Sequence, residues 1–116
     1  MYKRQVAICD PYGGSIAQCL PSESAFPHRG ARTWTIQYYA DWDKPDETIE
    51  RMEQITRVYN SMRPFMSGSA YVNYPDLDIK DFASSYWGDN LTRLQKIKKI
   101  ADSGNLFTHK QSVPLP

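Results

Sequence analysis

The sequence contains few of the residues on which common structural and catalytic sites depend. It has only two cysteines and two histidines, with no Cys-x-x-Cys pair and no Cys–His spacing typical of zinc. Neither a disulfide framework nor a metal site is therefore predicted, and Cys9 and Cys19 are expected to be reduced thiols. GxGxxG, P-loop, GxSxG and HExxH motifs are absent as well, which removes the most recognisable nucleotide-binding and hydrolytic signatures.

The chain also lacks a strong net charge and any long apolar run. Fourteen basic and 13 acidic residues give a net charge of +1, which argues against a nucleic-acid partner. The basic cluster "KIKK" at 96–99 is expected to be the solvated face near a helix C-terminus. The first residues, "MYKRQVAICDPYGG", hold too short an apolar stretch for a signal peptide, and no window is long enough to span a membrane. These features predict a cytoplasmic chain without a membrane partner.

Aliphatic residues are scarce too, and aromatic residues take their place. Leu, Ile, Val and Phe total 22 of 116 residues, whereas Tyr and Trp contribute eight and three. A buried Tyr or Trp needs a partner for its polar atom. The composition therefore suits one domain whose inner face is partly polar, or one that rests against another domain.

Two segments have the residue pattern of strands. "VAIC" at 6–9 is followed by the turn signal "DPYGG", and "RTWTIQYYADW" at 32–42 is rich in β-branched and aromatic residues. Alternation places Trp34, Ile36 and Tyr38 on one face of the second strand, which is the better candidate for the core. Thr35, Gln37 and Tyr39 share the other face, which is polar but uncharged. That face fits either a binding cavity or an ordinary exposed sheet surface.

Two amphipathic helices are predicted. The first covers about 45–63, with Pro45 at its first position, and Pro64 ends or kinks it. The second covers about 85–102, with Asp89 or Asn90 as the cap and "SGN" at 103–105 as the stop. The predicted fold class is α+β, a partial antiparallel sheet packed by two amphipathic helices.

The stretch "YVNYPDLD" at 71–78 is the most unusual in the chain, because an Asn stands between two tyrosines and a Pro-Asp pair follows. His28 and His109 lie far apart in sequence and are interpreted as structural or surface residues. Tyrosine is then the reactive side chain to consider. A tyrosine acts as a general base only if its pKa falls from about 10 toward the working pH. From the residues alone, Tyr71 and Tyr74 fit core aromatics as well as a site.

Four blocks carry a family resemblance: "AFPHRG", "WTIQYYADW", "AYVNYPDLD" and "YWGDNLTRLQKIKKIADSGNLFTHKQSVP". In this order and spacing, with "DPYGG" before them, they resemble the C-terminal part of the berberine bridge enzyme family of FAD-linked oxidases. The resemblance covers the chain from about residue 9 onward. One small departure is Ser103, where the family often has Pro. The serious departure is that the N-terminal FAD domain, with its flavin-attachment His and Cys, has no counterpart here.

The resemblance implies roles for five residues. Tyr74 matches the tyrosine that serves as catalytic base in several of these oxidases, taking the proton of a substrate hydroxyl while hydride passes to flavin N5 and oxygen reoxidises the flavin. Tyr71 and Asn73 match cofactor-binding positions near the flavin. Thr35 and Gln37 match positions that face the substrate. Strand alternation would put Tyr74 on the opposite face from Tyr71 and Asn73, so either a turn at Pro75 or a local bend is required to reorient Tyr74.

The resemblance also implies an organisation and a set of partners. Residues 1–70 correspond to part of a substrate-binding domain, and residues 71–116 to a C-terminal segment. FAD belongs to the parent enzyme, and the chain alone is expected neither to retain it nor to be active. The expected partners are an FAD domain and a small-molecule hydroxyl substrate. The alternatives are a free-standing, non-catalytic binding module that forms a homo-oligomer, and one chain of a split flavoenzyme.

Overall fold

A computed structural model describes residues 5–30 and 33–116. The described residues divide into two compact units, one formed by residues 5–11 and 34–68 and the other by residues 12–30, 33 and 69–116. The regular elements, in chain order, are β1 (Gln5–Pro11), α1 (Ser15–Gln18), β2 (Trp34–Ala40), α2 (Thr48–Met62), α3 (Phe82–Trp87) and α4 (Leu91–Ala101). Short 3₁₀ turns flank α2 and separate α3 from α4. The α+β class predicted from the sequence is confirmed.

The first unit contains a two-stranded antiparallel sheet. Both strands were predicted, and the first residue assigned to the second strand, residue 32, lies outside the described residues. The pairing runs from Gln5 opposite Ala40 to Pro11 opposite Trp34. Because paired residues share a face, Ala7 and Tyr38 lie on one side of the sheet, whereas Ile8 and Gln37 lie on the other.

Helix α2 packs against β2 in this unit. A 3₁₀ turn that begins at Pro45 leads into the helix, and the Trp42 indole N–H donates to the Thr48 hydroxyl at 2.9 Å, which fixes the entry of the chain. The helix ends at Met62, where a 3₁₀ turn containing Pro64 follows because proline cannot continue the backbone hydrogen bonds. The predicted helix is thus confirmed, with its regular part a few residues shorter at the N-terminus.

The second unit is helical, and its main helix is not continuous. The sequence predicted one helix over about 85–102, but the structure has α3 and α4 separated by a 3₁₀ turn at Gly88–Asn90. Gly88 has a φ of 47° and a ψ of −131°, a conformation that residues with a Cβ rarely adopt, and it redirects the chain there. Because of this break, the end of α3 contacts Asp76 and Gln111, whereas the beginning of α4 contacts the segment 21–24.

The core of the second unit lies at the end of α3. Tyr86 and Trp87 are buried, and their rings meet edge to face at 5.7 Å between centroids. Phe82, one turn earlier, contacts both rings. The aromatic residues that the composition emphasised therefore supply the core that aliphatic residues do not.

The C-terminal end of α4 differs from the expectation of a solvated basic face. The Lys98 ammonium pairs with the Asp102 carboxylate and donates to the Phe107 carbonyl at 2.6 Å, and little of its side chain is exposed. Asp102 also accepts the backbone N–H groups of Leu106 and Phe107 at 2.7 and 3.1 Å. Lys98 was thus assigned wrongly to a solvated surface, because residues after the helix fold back over it.

Candidate functional site

The segment 71–78 forms consecutive turns, so the strand alternation assumed for Tyr71, Asn73 and Tyr74 is wrong. The Tyr74 N–H donates to the Tyr71 carbonyl at 3.0 Å, and the Asp78 N–H donates to the Asp76 carboxylate at 2.9 Å. Pro75 lies between these two turns and cannot donate a ladder hydrogen bond, while Asp favours local side-chain-to-backbone bonds. Turn chemistry therefore dominates over the β propensity of the two tyrosines.

The first of these turns brings three predicted site residues together. The Asn73 amide donates to the Tyr71 hydroxyl at 2.7 Å, and the Tyr71 and Tyr74 rings meet edge to face at 5.4 Å. Strand alternation had separated Tyr74 from the other two residues, and the expected bend occurs within residues 71–74. Asn73 stands between the tyrosines because its short amide reaches the hydroxyl of the residue two positions earlier.

The two tyrosines belong to a longer row of aromatic rings. Tyr71 contacts Phe26 at 5.5 Å between centroids, and Phe26 contacts Tyr12 at 5.2 Å, both edge to face. His28 lies edge to face with Phe26 as well, at 5.6 Å, and its Nε2 is buried with no partner among the described residues. Tyr74, which is 51 % exposed, is the solvent-accessible end of this row.

Arg29 fixes the loop that carries Phe26. Its guanidinium donates to the Phe26 carbonyl at 3.0 Å, the Ile16 carbonyl at 2.9 Å and the Ser24 hydroxyl at 2.7 Å. The same group lies over the Phe26 ring at 5.3 Å, within the range of a cation–π contact. The ring that supports Tyr71 is thus held by an arginine whose three side-chain nitrogens all donate hydrogen bonds.

The start of α4 secures the same loop from a second side. The Asn90 amide donates to the carbonyls of Pro21 and Ser24 at 2.7 and 3.0 Å, and Arg93 donates to the Ser22 carbonyl at 3.1 Å. The sequence predicted Asn90 as a helix cap, but its side chain makes no capping hydrogen bond. It binds a segment almost 70 residues earlier in the chain, a partner that local sequence could not indicate.

Thr35 and Gln37 lie on β2 in the first unit, on the face opposite Tyr38, and Tyr38 lies near Tyr59 of α2. Their cross-strand neighbours on that face are Asp10 and Ile8. Tyr39 continues the face and is exposed, as is Val6 across from it. The predicted division of β2 into two faces is therefore confirmed, although Trp34, assigned to the core face, is exposed at the strand end.

Two titratable groups have perturbed pKa values. Burial raises the pKa of Tyr38, with smaller contributions from Cys9 and Tyr59, and its hydroxyl has no partner among the described residues. The hydrogen bond from Lys98 lowers the pKa of Asp102, with the N–H groups of Leu106 and Phe107 adding to the effect. Tyr38 lies between β2 and α2, and Asp102 lies at the C-terminal end of α4. Both pKa shifts therefore arise from packing of the fold and not from the candidate site.

The sequence did not single out Gln111 or distinguish Tyr86 from its neighbour. Gln111 is 4 % exposed and Tyr86 is 1 % exposed, and their side chains are hydrogen-bonded to each other and to the backbone of Asp76. The available signal was the "QSVP" sequence itself, which lies in the terminal block that carries the family resemblance.

Within residues 5–30 and 33–116, no cluster of His, Cys, Asp or Glu has the composition of a metal site. Cys9 and Cys19 are exposed free thiols, as expected. In the same part of the chain, no helix has the length and apolarity needed to cross a membrane.

Comparison with known proteins identifies the family. The profile described as "Berberine and berberine like" matches residues 70–114, which include Tyr71, Asn73, Tyr74 and Gln111. Berberine bridge enzyme-like 9 of Arabidopsis thaliana is 34 % identical over 122 residues, which cover 91 % of this chain and 23 % of that protein.

Solved structures agree with the sequence comparisons. A variant of Physcomitrella patens BBE-like 1 superposes with a TM-score of 0.87 at 34 % identity, covering 97 % of this chain and 24 % of that one. Berberine bridge enzyme from Eschscholzia californica gives a TM-score of 0.90 at 26 % identity, covering 97 % and 27 %. The chain spans about a quarter of the length of each relative. Residues 70–114 therefore belong to the berberine and berberine-like family, and nearly the whole chain is similar to a part of the berberine bridge enzyme-like proteins.

Proposed function

We propose that this chain is the portion of an FAD-linked oxidoreductase that covers the flavin and holds the substrate, and that Tyr74 is its catalytic base. Tyr74 would accept the proton of a substrate hydroxyl. The observation that carries the proposal is that the Tyr74 side chain is held in place while its hydroxyl stays accessible. The ring is supported by Tyr71 and the backbone by a turn, yet half of the side chain is exposed and its hydroxyl makes no hydrogen bond to described residues. A fixed base whose reactive atom is accessible is what proton abstraction requires.

Tyr71 and Asn73 fit the role of holding the cofactor. The Tyr71 hydroxyl accepts from Asn73 and so keeps its own hydrogen for donation, and the Asn73 carbonyl oxygen is not bonded to any described residue. A donor and an acceptor beside aromatic rings suit a flavin, which is an aromatic ring system with a polar edge. When bound, FAD would supply the hydride acceptor and the reaction with oxygen. The protein residues would orient it and exclude water.

Thr35 and Gln37 are proposed to contact the substrate. Both side chains can donate and accept hydrogen bonds, and both lie on the face of β2 opposite Tyr38. Such groups suit a substrate that carries hydroxyls. In this proposal residues 1–70 belong to the substrate-binding domain and residues 71–116 to the C-terminal segment, and the FAD domain is the required partner.

The test is complementation. A berberine bridge enzyme-like relative is produced without the quarter that corresponds to this chain, and the chain is then added. Flavin reduction by a panel of alcohols is followed by absorbance, and hydrogen peroxide by a coupled assay. We expect activity only in the mixture. Tyr74→Phe should lower kcat by about 10²–10⁴-fold, the usual contribution of a general base.

The matched control is Tyr59→Phe, which removes the same atom from a tyrosine on α2 that is not part of the proposed site. Full activity of the Tyr74→Phe mixture would exclude the base role. A mixture that binds flavin but oxidises no alcohol would contradict the substrate-holding role.

A second candidate function, a free-standing oligomeric module, is favoured by one observation. Several large apolar side chains are well exposed, including Ile49 at 75 %, Phe65 at 79 % and Ile100 at 87 %. Large apolar patches seldom stay uncovered in a monomer. Measuring the molecular mass by light scattering distinguishes the two proposals. The oligomeric module requires a defined oligomer without flavin, and that oligomer must persist when the FAD-domain chain is added.

A further inference from the structure

Gln111 is the only buried polar residue among the described residues, and it lies in the irregular tail that follows α4. A buried amide is costly unless its donor and acceptor are both used. Its position in a tail, rather than in a helix or strand, means that no regular element requires it. The hydrogen bonds of its side chain therefore indicate what it does.

Those bonds form a closed network of Asp76, Tyr86 and Gln111, which we call the Gln111 network. The Gln111 Nε2 donates to the Asp76 carbonyl at 2.6 Å. The Asp76 N–H donates to the Tyr86 hydroxyl at 3.1 Å, and that hydroxyl donates to the Gln111 Oε1 at 2.9 Å. Both backbone groups of one residue, Asp76, are thus held by two side chains that are 25 positions apart.

The network accepts only one orientation of the amide. The Tyr86 hydroxyl already accepts from the Asp76 N–H, so its single hydrogen points to an acceptor, which must be Oε1. The Asp76 carbonyl in turn requires a donor, which must be Nε2. A reversed amide would place two oxygens in contact. The side chain at position 111 therefore has to donate and accept at the same time.

Asp76 is two residues after Tyr74, and the link between them is stiff. Pro75 fixes its own φ near −65° and restricts the conformation of Tyr74, the residue before it. On the other side, the Tyr74 N–H is bonded to the Tyr71 carbonyl. The backbone of Tyr74 is therefore held from both directions, by a local turn before it and by the Gln111 network after it.

We propose that Gln111 and Tyr86 are positioning residues for Tyr74, through which the C-terminal tail sets the direction of the tyrosine ring. The catalytic meaning of this inference rests on the proposed role of Tyr74 as base. The positioning itself can be measured on the 116-residue chain without flavin, so the two ideas can fail separately.

The experiment is amide hydrogen exchange of the whole chain, followed by NMR. Gln111→Leu keeps a similar volume but can neither donate nor accept. We expect the amides of Tyr74, Asp76 and Asp78 to exchange about tenfold faster, in keeping with the loss of a buried hydrogen bond. Amides in the middle of α4 should keep their protection. The matched control is Gln95→Leu, the same change at a residue on α4 whose side chain makes no hydrogen bond to described residues. It should leave the protection of residues 74–78 unchanged.

The conservative variant Gln111→Glu should make the amide protection depend on pH, which a general loss of packing would not do. The carboxyl introduced by Gln111→Glu can donate and accept when protonated but only accepts when ionised. Protection of residues 74–78 should therefore return toward that of the unmodified chain in acid and be lost near neutral pH. The unmodified chain, measured at the same pH values, corrects for His109, whose Nδ1 accepts the Gln111 N–H at 3.2 Å.

If Gln111→Leu does not fold, the same exchange experiment is made on Tyr86→Phe. This substitution removes one oxygen of the Gln111 network and retains the ring in the core. Equal loss of protection in α4 and in residues 74–78, or unchanged protection of residues 74–78, would overturn the inference. In the complemented enzyme, Gln111→Leu should lower kcat about tenfold at unchanged KM. Tyr74→Phe should leave the protection of Asp76 and Asp78 intact, which separates positioning from catalysis.

Discussion

Tyr38 and Tyr86 allow the same one-atom deletion to be made at two buried hydroxyls with opposite hydrogen bonding. The Tyr86 hydroxyl accepts from the Asp76 N–H and donates to Gln111. The Tyr38 hydroxyl is buried without a partner among the described residues. Replacing each by Phe removes only the oxygen, so the difference between the two results measures hydrogen-bond satisfaction and not a change of packing.

The two substitutions should change the free energy of unfolding in opposite directions. Tyr86→Phe leaves the buried Gln111 oxygen without a donor, which costs about 2 kcal/mol. Tyr38→Phe removes a buried hydroxyl that no described residue satisfies, which should stabilise the chain by about 1 kcal/mol. With roughly 2.1 cal/mol/K of unfolding entropy per residue, a chain of 116 residues shifts its Tm by about 4 °C per kcal/mol. We therefore expect Tyr86→Phe to lower Tm by about 8 °C and Tyr38→Phe to raise it by about 4 °C.

The assay is thermal and urea unfolding followed by circular dichroism. Tyr74→Phe serves as the control, because its half-exposed hydroxyl is not bonded to described residues and should change stability by less than about 0.5 kcal/mol. A loss of stability in Tyr38→Phe would refute the reasoning for that site, since it would show that its hydroxyl is satisfied. An unchanged Tm in Tyr86→Phe would show that the Gln111 network contributes nothing to stability.

Two further predictions concern the ends of the second-unit helices. Lys98 lowers the pKa of Asp102 below its usual 3.8, so this pair stabilises the fold at neutral pH and the contribution disappears as the pH falls through the lowered value. Asp102→Asn should therefore lower Tm at pH 7 and lower it progressively less as the pH falls below 3.8, and a difference that does not change with pH would contradict this account. Gly88→Ala forces a Cβ into a backbone conformation with φ 47° and ψ −131°, and it should destabilise by about 1–3 kcal/mol in urea unfolding. A change within experimental error would show that the break between α3 and α4 tolerates a side chain.

Much of the secondary structure could be predicted from local residue patterns. β2 follows from its β-branched and aromatic residues, and α2 from an apolar period bounded by Pro45 and Pro64. The segment 71–78 could not, because two tyrosines favour a strand whereas Pro75 and Asp76 favour turns, and only the completed fold shows which dominates. The break at Gly88 could not be predicted either, because a single glycine does not always interrupt a helix.

The candidate site was predicted in part. The grouping of Tyr71, Asn73 and Tyr74 followed from their proximity in sequence, and their roles stay predictions. Arg29, Asn90 and Gln111 were missed because each side chain acts through backbone groups that no motif identifies.

The sequence by itself indicated the family resemblance, the α+β class and Tyr74 as the predicted base, because these depend on which residues occur and in what order. Only the tertiary structure decided how that tyrosine is held. A hydrogen bond between Gln111 and the backbone of Asp76 spans 35 positions, and sequence spacing carries no information about a contact that forms only when the tail folds back. The buried polar atoms of Tyr86 and Gln111 had to find partners within the fold, and they found them in each other and in the backbone of Asp76, two residues after Tyr74.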